Sequence, residues 1–145
     1  YESIKFGMQD IMIAGGAEEF CPVDAAAFDT LFSTSTKNNT PELTPSAYDK
    51  NRDGLVVGEG AGTLILEDYD YAKARGAKIY AEIVGYGNTC DAYHMTAPEP
   101  DGTGAKNAIL MSIKDVDITD DMNIYINAHG TSTHHNDLFE TRAIC

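Results

Sequence analysis

Apolar residues in this chain fall in short runs, each closed by glycine, proline or a hydroxyl-rich stretch. Gln9 to Ala14 carries a continuous apolar run bounded by polar residues and Gly15-Gly16, the pattern of a buried strand. Pro22 to Phe32 switches to helical spacing, with Pro22 in the first turn and Val23, Ala27, Phe28 and Leu31 apolar. Ser33 to Pro45 is polar and reads as a loop, and Asp53-Gly54 as a turn. Leu55 to Val57 and Thr63 to Leu66 read as strands joined across the glycine-rich run 58–62. Asp68 to Arg75 has acids at its start, bases near its end and Gly76 beyond, all in accord with a helix dipole. A strand is predicted over Ile79 to Val84, a loop over Gly85 to Gly104, and a helix over Ala105 to Lys114. A strand over 123–128 and a helix from Asp137 follow, while residues 1–8 read as the last turns of a helix stopped at Gly7. Helices alternating with strands imply an α/β fold with a mixed or parallel sheet.

Composition narrows the function classes. The chain has 145 residues, enough for one domain with a core. Its net charge is −13, from 23 acids against 10 scattered bases, which excludes nucleic acid as a partner because phosphate binding needs clustered cations. No apolar run approaches the length of a membrane span or signal peptide. Three cysteines, far apart, argue against a disulfide framework, so a reducing cytoplasm is the expected compartment. The chain opens on Tyr1, and the helix starting at Asp137 runs out at Cys145. Both ends therefore read as cuts through secondary structure, and a piece of a larger protein is expected.

The chemistry concentrates in Asn127-Ala128-His129-Gly130-Thr131-Ser132-Thr133. A histidine after a strand-like run, then a glycine and three hydroxyl residues, brings an imidazole and hydrogen-bond donors to a sheet edge, where α/β proteins place their sites. This segment, with Asp137 and Glu140, is one of four colinear blocks. The others are Ile11 to Glu18, Tyr48 to Gly62, and Ala74 to Gly87 continuing through Asp91 to Thr96. Together these blocks resemble the β-ketoacyl-acyl-carrier-protein synthases, the condensing enzymes of fatty-acid and polyketide synthesis. The match covers nearly the whole chain.

The resemblance implies a thiolase-like fold, present in part as a mixed sheet with packed helices. Residues 1–145 would be the central part of a ketosynthase, spanning the end of its N-terminal half and the start of its C-terminal half. The family uses a Cys-His-His triad, of which only the first histidine matches here. The nucleophilic cysteine would precede Tyr1 by roughly ten residues, at the start of the helix that residues 1–6 end. The second histidine, a lysine and a glycine-rich loop would follow Cys145. The implied partner is an acyl carrier protein, and the implied assembly a homodimer. No metal or diffusible cofactor is implied, since substrate rides on a phosphopantetheine arm. Carrier proteins are acidic, so any basic docking patch would lie mostly outside this acidic chain. The loop between Phe28 and Ser33 is short against the family pattern, which would reshape an acyl pocket.

By resemblance, His129 stabilises the enolate left when malonyl-carrier protein loses carbon dioxide. The plainer reading is a core histidine capping a strand end. Glu140 becomes a catalytic support residue near the active-site lysine. Asn127 and Glu140 also line a structural cation site in related proteins. Asp137 reads equally as a functional acid or a first-turn helix acid. Thr131 and Thr133, joined by Thr96, are expected to bond the amides of phosphopantetheine, against the alternative of turn hydroxyls bonding local backbone. Phe28 is an acyl-chain contact or a core residue.

His134 and His135 stand where the family commonly has proline. Their spacing with His129 fits no zinc signature, so they read as a loop pair at the surface. Cys21 is at the wrong place for the nucleophile and reads as structural. The 58–62 glycines lack phosphate-loop spacing and read as packing glycines. Arg52-Asp53 reads as an ion pair or turn. Two rival functions remain: a non-catalytic partner subunit of a ketosynthase, and a truncated remnant that only binds a partner.

Overall fold

The structure, a computed structural model, describes residues 1–145. The chain runs α1 (Glu2–Lys5), β1 (Ile11–Glu18), α2 (Pro22–Thr30), a short 3-10 turn (Pro41–Leu43), β2 (Gly60–Glu67), α3 (Tyr69–Ala74), α4 (Thr103–Ile113) and α5 (His134–Ile144). No helix is long and apolar enough to cross a membrane.

β1 and β2 form a two-stranded antiparallel ribbon, with Ile11 opposite Glu67 and Glu18 opposite Gly60. The ribbon is longer at its glycine end than the sequence pattern suggests. Gly15 and Gly16, read as a strand boundary, and Gly60 and Gly62, read as packing glycines between strands, are all ladder residues. Glycine against glycine lets the two backbones run close, and a Cβ on Gly15 would sit on the Gly62 carbonyl oxygen. The expected strand at Leu55 to Val57 reduces to one parallel bridge, Leu55 to Thr34. The expected burial of β1 is also corrected: Ile13 is 71 % exposed, because no helix layer packs across the ribbon.

Two expected strands, Ile79 to Val84 and 123–128, belong to no sheet. Their backbone groups make no hydrogen bonds within the chain, since no strand runs beside them. The parallel component of the expected mixed sheet is therefore confined to the Thr34–Leu55 bridge.

The helix signals place the helices to within a few residues. Asp68 caps α3 by accepting the Tyr71 amide. Cys21 caps α2, its thiol exchanging hydrogen bonds with Asp24, which fits a structural role. α5 begins at His134, three residues before its expected start, because Thr133 is its cap. His134 and His135 thus lie in the first turn of a helix rather than in a loop, and His135 stacks on Phe139 with ring centroids 5.7 Å apart. α4 packs on α5, and the approach is closest at Gly102. That residue has φ +78°, and a Cβ there would meet the Phe139 carbonyl oxygen at 2.6 Å, so glycine is required on both grounds.

Candidate active site

The centre of the site is the turn from His129 to Thr133 and the first two turns of α5. Gly130 (φ +50°) and Ser132 (φ +66°) both take left-handed backbone, which folds the turn back on the helix that follows. A serine there is strained unless its surroundings hold it. Ser132 is fully buried. Its amide donates to Asp137 Oδ1 at 3.2 Å, and its Oγ accepts the Ser46 amide at 3.0 Å.

Glu140 organises the histidine itself. The His129 amide donates to Glu140 Oε1 at 2.7 Å and the Gly130 amide to Oε2 at 2.9 Å. The Tyr48 hydroxyl adds a bond to Oε2 at 2.6 Å and Asn136 Nδ2 a weaker one at 3.3 Å. Burial pushes this carboxyl's pKa up, but the bonds from Gly130, Tyr48, His129 and Asn136 outweigh it and hold the pKa below its ordinary value. Partial burial, then the bond to Glu140, raise the Tyr48 hydroxyl to about 12. Since Tyr48 is 44 % exposed, the short bond to an anion is the firmer of those two causes.

Asp137, one turn earlier, is buried at 1 % exposure. It is a first-turn acid of α5, yet its bonds leave the helix. Oδ2 accepts the Tyr48 amide at 2.7 Å and faces Arg52 Nε at 3.5 Å. Arg52 in turn donates to the carbonyls of Thr133 and His134, at 3.0 and 2.8 Å. A buried carboxylate is tolerated because charge and hydrogen bonds both reach it. The expected Arg52–Asp53 pair does not form. Asp53 instead faces Lys37 at 3.4 Å and accepts the Thr36 amide, the bond that does most to lower its pKa.

The His129 side chain is exposed and makes no hydrogen bond. With Asn136, Phe139, Glu140, Asp91 and Glu99 it lines a cavity of about 160 Å³ between α5 and the start of α4. A larger cavity, about 240 Å³, lies between α1, Val84 to Tyr86 and the end of α4, and no expected site residue lines it. The Thr131 and Thr133 hydroxyls bond each other at 2.8 Å, and Thr133 Oγ1 also accepts the Asn136 amide as the α5 cap. Thr96 is exposed in the 91–102 loop, its amide bonded to His94 Nδ1, and it does not line the His129 cavity. Phe28, on α2 and 41 % exposed, does not line it either. The fold thus joins His129 to Glu140 and Thr131 to Thr133, and leaves Thr96 and Phe28 apart from them.

Sequence reasoning missed Tyr48, Arg52 as the Asp137 partner, and Ser132. Tyr48 and Glu140 are 92 residues apart, so no local spacing signals their bond. For Ser132 the clue is its place between two threonines, directly after a glycine.

Comparison with known proteins places this geometry. Residues 1–72 match the family profile described as Beta-ketoacyl synthase, N-terminal domain, and residues 80–145 match Beta-ketoacyl synthase, C-terminal domain. A 3-oxoacyl-[acyl-carrier-protein] synthase 2 of Synechocystis is 50% identical over 145 residues, covering 99% of this chain and 35% of that protein. A β-ketoacyl synthase from Burkholderia phymatum superposes with a TM-score of 0.91 at 50% identity, over 99% of this chain and 35% of its own. A type II polyketide-synthase ketosynthase, solved in complex with its acyl-carrier protein and bound to a hexaketide, superposes with a TM-score of 0.91 at 42% identity, over 99% of this chain and 36% of its own. The chain spans about a third of the length of the relatives it matches.

Proposed function

This chain belongs to the β-ketoacyl synthase family and has its thiolase-like α/β fold; from that premise we propose that it works within a 3-oxoacyl-[acyl-carrier-protein] synthase of fatty-acid or polyketide synthesis. The observation that carries the reading is His129: an unbonded imidazole facing a cavity, on a turn whose backbone is tied to a buried-side carboxylate.

The reaction is a decarboxylative Claisen condensation. An acyl group passes from its carrier-protein thioester to a cysteine thiolate that residues outside the matched motifs of this chain supply, and the pantetheine thiolate leaves. Malonyl-carrier protein then breaks its bond to the free carboxylate. Carbon dioxide leaves, and the electron pair spreads onto the thioester oxygen as an enolate. A neutral imidazole N–H of His129 donates to that oxygen where the charge develops. The enolate carbon attacks the acyl-cysteine carbonyl, forms the new carbon–carbon bond and expels the thiolate.

Glu140 supports this role by keeping the His129 turn closed. Thr131 and Thr133 could turn their hydroxyls from each other to the amides of a phosphopantetheine arm. Thr96 would reach that arm from its loop, and Phe28 the acyl chain, only with substrate bound. The partner is an acyl carrier protein, the assembly a homodimer, and the compartment the cytoplasm. No metal or diffusible cofactor enters the chemistry, the substrate being carried on the carrier protein's pantetheine.

The intact mass of the native protein is the first test. A mass near 15.7 kDa would exclude condensation by this polypeptide alone. For a larger protein, His129→Ala should cut malonyl-carrier-protein decarboxylation about 10²–10³-fold while acyl transfer to the cysteine persists. Unchanged decarboxylation would overturn the reading.

A further inference from the structure

Tyr48 is the one residue outside α5 that bonds both acids of the site. Its amide donates to Asp137 Oδ2 at 2.7 Å and its hydroxyl to Glu140 Oε2 at 2.6 Å. Those two acids are three residues apart, on one face of α5. The tyrosine therefore lies along the helix, bonded to it at both ends. To do so it takes φ +64°, a conformation a bulky residue holds only when its surroundings enforce it. The facing turn matches it: Gly130 has φ +50°, and a Cβ there would meet Tyr48 Cε2 at 3.2 Å. The Ser46 amide, bonded to buried Ser132 Oγ at 3.0 Å, fastens the same loop two residues earlier. Glu140 Oε2 accepts its two short bonds from the tyrosine hydroxyl and the Gly130 amide, with Asn136 Nδ2 a longer third donor at 3.3 Å.

The geometry points to Tyr48 as a positioning residue: its hydroxyl sets the rotamer of the Glu140 carboxylate that receives the His129 and Gly130 amides, and so sets where the His129 imidazole points. The inference rests on the reading of His129 as the working imidazole. It differs from packing alone, because the aromatic ring would survive loss of the hydroxyl.

The test is an NMR titration of the full-length native protein, selectively labelled at glutamate carboxyls, tyrosine Cζ and backbone nitrogen. Tyr48→Phe keeps the ring. It should move the Glu140 midpoint up toward 4.5. It should also speed amide exchange at His129 and Gly130 by about tenfold, the factor one hydrogen bond to a charge carries. In a Glu140→Gln background, Tyr48→Phe should add nothing further at those amides. Unchanged midpoint and exchange in a variant with an otherwise wild-type spectrum would overturn the proposal. Should Tyr48→Phe fail to fold, the Tyr48 Cζ titration decides. Its midpoint should fall below about 12 in Glu140→Gln, with burial still holding it above the ordinary value, and an unmoved midpoint overturns the proposal. None of these readouts needs acyl transfer. Failure of the Tyr48 proposal therefore leaves the decarboxylation test standing, and failure of that test leaves these titrations unmoved.

Discussion

Glu140 and Asp137 sit one helical turn apart and do different jobs. Asp137 is buried and carries Arg52; it closes the turn around Ser132. Replacing it by alanine strands the Ser132 and Tyr48 amides and the guanidinium. Asp137→Ala should lower stability by about 2–3 kcal/mol in urea unfolding, more than any change at exposed His134. Glu140 is half-buried, and its pKa lies below the ordinary 4.5. For a depressed carboxyl the sign is fixed: the stabilisation is complete above the unfolded-state value and drains away as pH falls through the folded value. Stability of the wild-type chain should therefore drop as pH falls below the ordinary carboxyl value of 4.5, with a shallower drop in Glu140→Gln. Equal slopes would show that Glu140 does not carry the effect. His129 and Glu140 were legible in sequence because both belong to one short motif. Tyr48 and Arg52 were not, because their bonds to α5 cross more than 80 residues of chain.

At the scale of elements, the charges and punctuation around each helix were readable in sequence, whereas the capping roles of Cys21 and Thr133 and part of the glycine pattern were not. Asp68, Cys21 and Thr133 all cap helices through their side chains. Thr133 is the informative one, because the cap and the expected substrate contact are the same hydroxyl. Thr133→Ala should cost about 1 kcal/mol, read as earlier thermal melting of α5 signals, whereas Thr133→Ser should keep most of the cap. Glycine misled because its two uses look alike in sequence. Gly15-Gly16 reads as a strand boundary and the 58–62 run as packing glycines; Gly16 pairs with Gly62, Ala17 with Ala61 and Glu18 with Gly60, so the packing reading holds and the boundary does not. Gly15→Ala puts a methyl group on the Gly62 carbonyl oxygen. It should open the glycine end of the ribbon while leaving Ile11–Glu67 paired, seen as loss of the cross-strand contacts from Gly15 to Glu18 alone.

The whole molecule shows why strand periodicity ran ahead of the sheet. Accessible surface is 11196 Å², whereas a compact protein of 15.7 kDa exposes roughly 7,300 Å². The surplus is apolar to an unusual degree. Ile124, Tyr125 and Ile126 are 65%, 86% and 53% exposed, and Ile83 and Val84 are 48% and 56% exposed. Those residues form short, continuous apolar runs of β-branched and aromatic side chains typical of strands, but strand pattern specifies only that a face will be covered, not by what. Their backbone donors and acceptors lack protein partners as well, so the segments 79–84 and 123–128 are open edges. The active-site turn follows directly from one of these edges, at His129. The isolated chain should accordingly associate: light scattering should give a mass above 15.7 kDa that rises with concentration, with strong binding of a hydrophobic dye. Replacing Ile124 and Ile126 by threonine keeps strand propensity while removing apolar surface, so it should lower that association. A strictly monomeric chain that ignores the dye would mean that these faces fold inward in solution, and the His129 cavity would then be lined differently from the arrangement described above.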